Sequence, residues 1–305
     1  MLQYVTQRLL QSLVVLLGVT ALVFSLLHLA PGDPVLMMLP EGASQEQVDD
    51  LRNRLGLDRP LVDQFVSFLD RAVRGDLGTS LFHREPALQV VLRYFPSTAV
   101  LAVTALLLTV AIGVPLGVIS ALKRDSFLDY LAMGFAVLGQ AVPPFWLGIM
   151  LILIFSVNLG WFPTYGSGSW RHLVLPAVTL GAYLMALITR LTRSGLLEVL
   201  NTDYVRTAHA KGLRFGQVIW RHAFRNTLLP LVTVLGLQLG GLMAGAIVTE
   251  TVFAWPGVGS IIVHAIFARD YPVIQAAVLF LSVVFVTVNV LVDVLYAYID
   301  PRIRY

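Results

Sequence analysis

The chain has 305 residues, of which 57% are apolar and 13% charged, a formal net charge of +3 and no cysteine. A typical soluble domain carries about 25% charged residues, so this composition excludes an ordinary soluble protein and describes an all-α, polytopic membrane protein. Lack of cysteine excludes disulfides and cysteine-based catalysis or metal sites. Nucleic acid is excluded as a partner, because the basic residues are dispersed between apolar runs and do not interleave with exposed aromatics.

Six runs reach the roughly 20 apolar residues that a membrane-crossing helix requires. They cover approximately Leu9 to Ala30, Ser97 to Leu122, Tyr130 to Ser156, Leu173 to Leu191, Leu228 to Val248 and Val273 to Tyr298. The first is too long for a cleaved signal peptide, and His28 stands where a cleavage site wants a small residue, so it reads as a retained helix. Three regions follow: 1–30 with the first span, a connection at 31–96, and a five-helix core at 97–305.

The connection carries folding signals. SQEQ, Ser44 to Gln47, has capping-box form, Val48, Leu51 and Leu55 make a helical stripe, and Gly56 is placed to end it. A second helix begins near Pro60 and carries Leu61, Phe65, Phe68, Leu69 and Val73 before Gly75; a third, from Ala87 to Tyr94, leads into the membrane. This small helical cap suits either an extracytoplasmic partner or the outer ends of the spans.

Within the spans, Pro143 and Pro144 interrupt the third run and must kink or unwind it, which gives either a gate or a static bend. Gln140 and Gln238 are candidates to touch a polar solute, with bridging amides between helices as the alternative. Glu250, at the outer end of the fifth run, and Asp293, one turn after Asn289 in the sixth, are the carboxylates to weigh for a path or a structural pairing. In the fifth run Gly236 and Gly240, then Gly241 and Gly245, are spaced for close helix approach.

Between the fourth and fifth runs a basic loop, at about 192–227, contains DYVRTAHAKGL, Asp203 to Leu213. Thr202 or Asp203 offers a side-chain oxygen for an N-cap, Ala208 and Ala210 keep one side of the turn small, and Gly212 is positioned to stop it. RFGQVIWRHAFRN then sets Phe215, Val218, Ile219 and Ala223 on one stripe and Arg214, Gln217, Arg221 and Arg225 on another. The segment is either a docking surface or an amphipathic linker at the lipid surface.

The basic residues orient the chain. Arg8, Lys123, Arg124, seven residues from Arg190 to Arg225, Arg302 and Arg304 fall on one side, against Arg171 and Arg269 in the short loops opposite. The seven arginines of the long connection do not count, since long loops translocate largely regardless of charge. Both termini and Asp203 to Gly212 are therefore expected in the cytoplasm. No glycine-rich loop precedes a Gly-Lys-Ser/Thr, so no phosphate-binding loop is present, and the six histidines include no i, i+4 pair and no HExxH. No catalytic or metal site is expected, and ATP hydrolysis would have to occur on a partner.

DYVRTAHAKGL and the following RHAFRNTLLP resemble the cytoplasmic coupling loop of ABC importer permeases of the dipeptide, oligopeptide, glutathione and nickel branch. LAPGDP at Leu29 to Pro34, TETVFAWPGVG at Thr249 to Gly259, RDYPVIQ at Arg269 to Gln275 and VNVLVDVLYAYIDPRIRY at the C-terminus resemble the same branch. The general permease motif reads Glu-Ala-Ala, Gly and later Leu-Pro; here Arg206 stands near the Glu position and Arg225 near the Pro, a variant of this branch.

The resemblance implies a type I importer permease fold in a bacterial inner membrane. Its partners would be a second homologous permease, two ATPase domains holding ATP and Mg, an extracytoplasmic solute-binding protein and lipid. Asp203, Tyr204, Arg206, Thr207, Ala208, Ala210, Lys211 and Gly212 would couple to the ATPase, and Gln140, Pro143, Pro144, Gln238 and Glu250 are candidates for the path or gate. The favoured solute is a di- or oligopeptide, with glutathione or nickel chelates as alternatives. A secondary transporter and a non-transporting scaffold are the competitors from other classes.

Overall fold

The computed structural model describes residues 2–29, 42, 44–55 and 58–299. Its helices are α1 (Leu2–Leu29), α2 (Gln45–Leu55), α3 (Leu61–Val73), α4 (Ala87–Leu108), α5 (Val114–Leu122), α6 (Phe127–Ala141), α7 (Pro144–Leu151), α8 (Trp170–Leu200), α9 (Asp203–Ala210), α10 (Phe215–Gln217), α11 (Phe224–Val252), α12 (Val258–Ala268) and α13 (Tyr271–Ile299). Among the described residues there is no strand beyond one isolated bridge between Thr79 and Pro86. Among the described residues five stretches, Thr6–Ser25, Ala87–Leu122, Trp170–Leu200, Pro230–Val252 and Tyr271–Val294, are long and apolar enough to cross a membrane, and α6 with the helix after it makes a sixth if counted as one span.

That sixth span is broken. Phe127–Ala141 and Pro144–Asn158 meet at 113° instead of forming one helix over Tyr130 to Ser156. Two successive pre-proline positions explain it. A proline ring disfavours helical ψ in the residue before it, and both Val142 (ψ 126°) and Pro143 (ψ 136°) are extended. Pro144 then opens α7 at the first helical position, where its missing N–H costs nothing.

Among the described residues three π-helical turns widen otherwise regular helices: Thr109–Gly113, Ile152–Asn158 and Val218–Ala223. The first directly precedes Val114 and Pro115. A proline ring crowds the carbonyl four residues back and supplies no donor to it; the wider turn accommodates both effects without ending the helix.

The chain divides into two compact units, 1–95 with 261–287, and 96–260 with 288–304. In the first, Val23 of α1, Phe68 of α3 and Leu279 of α13 form a buried apolar cluster, and Phe24 meets Phe65 edge-on at 5.4 Å between centroids. The capping box at α2 is formed: Gln47 N–H donates to Ser44 Oγ at 3.3 Å, and Ser44 N–H donates to Gln47 Oε1 at 3.0 Å. Gly75 ends the next helix with φ +79°. Gly56 and Pro31 to Pro34 lie outside the described residues.

Asp270, 1% exposed, fastens the loop before α4. Its Oδ2 accepts Ser80 Oγ–H and the Phe82 N–H (3.2 Å), while Ser80 Oγ accepts the His83 N–H at 2.9 Å. The RDYPVIQ motif thereby has a structural role in holding 76–86 in shape.

In the second unit α8 is the central helix, and small residues let its neighbours approach its backbone. A Cβ on Gly117 would lie 2.5 Å from Thr192 Cβ and 2.6 Å from the Thr189 carbonyl; on Gly113 it would lie 3.0 Å from the Met185 carbonyl; on Gly181, 3.0 Å from the Ala105 carbonyl. Gly113 and Gly117 are four residues apart, one on each flank of Pro115, and form the small-residue stripe of the second span. Sequence reading assigned that role to the fifth span alone. There Gly236 is close-packed, against Val292, while a Cβ on Gly241 would meet only Gln238 of its own helix.

Candidate coupling element and transport path

The short helix α9 is built as a two-faced element. Val205 and Ala208 are buried and pack with Val218, Val199 and Leu200 of the same chain. Asp203, Arg206, Thr207 and Ala210 recur at one-turn spacing on the opposite, exposed face. Ala208 was expected among the residues offered to a partner; its side chain instead faces this chain's own interior. An Arg206 to Asp203 ion pair (3.3 Å) lies across the exposed face and is solvated at both ends, so it adds little stability.

Both ends of α9 are defined. Thr202 occupies the N-cap position with extended backbone, but its hydroxyl donates back to the Val199 carbonyl (2.6 Å) and makes no cap bond, contrary to the sequence expectation. At the other end Leu213 N–H donates to Ala208 O (3.4 Å) and Gly212 N–H to His209 O (2.9 Å), with Gly212 at φ +72°. This is a Schellman stop, which needs a left-handed residue at that position. Tyr204 anchors the helix sideways: Asn226 Nδ2–H donates to its hydroxyl oxygen at 2.6 Å. Lys211 is exposed beside the stop.

A buried node connects α5, α6 and α8 at the start of α6. Asp129, whose side chain is 3% exposed, accepts two bonds from Arg193, Nε–H to Oδ1 at 2.7 Å and Nη2–H to Oδ2 at 2.8 Å. Ser120 Oγ–H and the Asp125 N–H complete its set. A bidentate pair with the remaining lone pairs satisfied is the arrangement in which a buried ion pair offsets its desolvation. Sequence reading missed it; the available signal was a lone carboxylate entering an apolar run.

At the break, Gln140 is half-buried and its Oε1 accepts a bond from Arg190 Nη1–H at 2.6 Å. Pro143 and Pro144 are exposed, and Gln238 on α11 is half-buried. Glu250 departs from the path expectation, since it is 0% exposed. Its Oε1 accepts Thr98 Oγ–H at 2.6 Å and its Oε2 accepts the Ser260 N–H at 3.0 Å; Thr98 Oγ1 in turn accepts the Val258 N–H at 2.8 Å. The carboxylate therefore caps the N-terminus of α12, where free amides and the helix dipole favour negative charge. A side chain at Gly257 would collide with this carboxylate, and one at Gly259 would collide with Ile247, which accounts for the glycines of the PGVG stretch.

Residues 113–305 match the family described as binding-protein-dependent transport system inner membrane component, and residues 1–102 match its N-terminal region. The chain belongs to that family. It is the permease subunit of a binding-protein-dependent ABC importer. The permease is 44% identical over 333 residues to the dipeptide transport system permease protein DppB of Alkalihalophilus pseudofirmus, covering all of both chains. It is 45% identical over 305 residues to the glutathione transport system permease protein GsiC of Escherichia coli O6:H1, again over both full lengths. Its fold is similar to that of a solved inward-facing structure of the MetNI methionine ABC transporter, with a TM-score of 0.60, 18% identity, and coverage of 70% of the permease and 97% of that chain.

Proposed function

We propose that this permease forms half of a translocation path for di- or oligopeptides, with a second homologous permease as the other half, and that α9 transmits ATP-driven motion to it. The observation that carries the coupling role is the division of α9 into a face closed on its own chain by Val205 and Ala208 and a face open at Asp203, Arg206, Thr207 and Ala210. A linker has no need of a helix that ends in a Schellman stop and keeps one side unused. Relatives named for dipeptide and glutathione transport support a peptide-like solute; glutathione itself is the second reading.

In this scheme ATP and Mg are held by two ATPase subunits outside the chain, and an extracytoplasmic binding protein delivers the solute. The chain itself performs no hydrolysis. Both termini and α9 lie in the cytoplasm. ATP shifts the permease outward only if the ATPase pair binds ATP more tightly with the permease in that state, because a ligand without differential affinity moves no equilibrium. The open face of α9 is where that difference is conveyed.

The test is a double change on the open face, Arg206→Glu with Ala210→Asp, in the assembled complex. Expected are normal membrane insertion, loss of co-purifying ATPase or of hydrolysis stimulated by loaded binding protein, and loss of uptake. Normal stimulation and uptake would remove the coupling role from α9.

A further inference from the structure

Helix α8 is the most enclosed of the membrane-length helices, yet it is not covered all round. Between 181 and 200 its exposed residues are Tyr183, Arg190, Ser194 and Glu198. At 100° per residue these four share one stripe: Arg190, Ser194 and Glu198 are polar, and Tyr183 presents a ring with a polar tip. Helix α6 has the opposite character, exposing Phe127, Leu128, Leu131, Phe135 and Leu138, the surface that lipid requires. The α8 stripe, centred on Arg190, Ser194 and Glu198, is therefore unlike a lipid-facing surface.

Arg190 is the charged centre of this stripe. Its one polar contact is the neutral amide of Gln140, and among the described residues no carboxylate pairs with it. Arg193, one turn on, shows the contrast, since its charge is fully answered by Asp129. Next to Gln140, Pro143 and Pro144 supply no N–H to the carbonyls of Gly139 and Gln140, the donors that would continue the helix. Arg190, counted from the sequence with the cytoplasmic basic residues, lies within the Trp170–Leu200 span; irregular backbone at membrane depth is tolerated where it is buried in protein or borders a water-filled cavity, and ionisable groups within a span face the bundle interior or such a cavity.

We propose that Arg190 lines the solute route at the break between α6 and α7, with Gln140 orienting its guanidinium, and receives an anionic group of the solute in transit, a carboxylate in the case of a peptide. This rests on the importer function proposed above. Arginine suits the task because its planar fork matches a carboxylate and its charge persists at any physiological pH. The neutral partner matters equally: an amide holds the side chain without neutralising it, so the positive potential stays available to the solute.

The absence of native cysteine allows a direct test in the assembled, reconstituted complex. Ser194→Cys lies one turn from Arg190 on the same stripe. With each rate divided by that reagent's rate with a free thiol, an anionic sulfonate-bearing methanethiosulfonate should modify it on the order of tenfold faster than a cationic trimethylammonium analogue. The preference should disappear with Arg190→Gln and persist with Arg190→Lys. No reaction with either reagent would place the stripe against lipid or protein and overturn the proposal, as would equal rates with Arg190 present. In parallel, Arg190→Gln should lower uptake of the solute carried by the unmodified complex by about tenfold or more, leaving ATPase co-purification intact; unchanged uptake would also overturn it. Failure of the importer function is separately visible as no ATP-dependent uptake by the unmodified complex.

Discussion

Glu250 and Ser260 are ten residues apart in sequence, and the carboxylate of the first accepts the backbone amide of the second across the turn that joins α11 to α12. With Thr98 completing the shell, a fully buried carboxyl group pins three segments of the chain. Glu250→Gln keeps the shape but turns an NH₂ toward a donor, and should cost about 2 kcal/mol. Gly257→Ala should act similarly by displacing the carboxylate. Both are expected to lower the thermal midpoint of the purified complex by several degrees with no change in which solutes compete for uptake. Altered solute selectivity would return Glu250 to the path.

The Asp129–Arg193 pair predicts a non-additive series. Asp129→Asn should destabilise by about 3 kcal/mol, the lower end for a broken buried pair because Arg193 keeps some contact with solvent. Asp129→Leu combined with Arg193→Met should recover most of that loss. Thermal midpoints of the two singles and the double measure the coupling, and simple additivity would deny the pair a special role.

Gly117 and Gly241 separate packing inside the chain from packing outside it. Gly117→Ala inserts a methyl group against Thr192 and the Thr189 carbonyl, so the chain itself should fail to reach a stable fold. At Gly241, which is exposed, a Cβ would meet no other helix of this chain, so Gly241→Leu should leave a stable subunit. Under the proposed pairing of two permeases it should weaken that association. Size-exclusion profiles and thermal midpoints distinguish the two effects, and equal destabilisation by both changes would contradict the assignment.

Gly212 offers a conformational test of α9. Gly212→Val forces a β-branched residue to φ +72°, at a cost of about 1–2 kcal/mol, whereas Gly212→Asn tolerates the left-handed region. Stimulated ATP hydrolysis should be lost in the first and largely retained in the second. Matching defects would mean that glycine is needed for close contact and not for its backbone freedom.

Orientation is read by single cysteines at Arg124, Ser167 and Gln217, all exposed. Arg124 is preferable to its neighbour Ser126, whose hydroxyl accepts the Asp129 N–H at the start of α6. With an impermeant reagent on intact cells, Ser167→Cys alone should label. Labelling at 217 would put α9 on the wrong side of the membrane for an ATPase.

What could be read in the sequence was local. Ser44 with Gln47, Gly212, and the Pro143–Pro144 break each carry their physics within a few residues, and each appears in the structure as expected. Two kinds of feature escaped. Pairings such as Ser80 with Asp270 or Asp129 with Arg193 join residues 190 and 64 positions apart, and no periodicity announces them. Ala208 escaped for a different reason: helical spacing separates two faces but does not say which one the chain keeps for itself. For α9 the answer depends on Val218, thirteen residues beyond Val205 and past a turn.

The backbone contacts along α8 have a mechanical consequence. With Gly113, Gly117 and Gly181 bringing carbonyl oxygens to about van der Waals distance of neighbouring backbones, α8 cannot slide or roll past α4 and α5 without steric collision. These helices must travel together as one stiff mast. The ladder is interrupted at Val142 and Pro143, the two extended residues between α6 and α7, while Gly139 keeps the end of α6 against the Ala182 carbonyl of α8. The 113° elbow therefore lies against this mast and carries Gln140 at its edge, so the residue that holds Arg190 in position sits where the span changes direction.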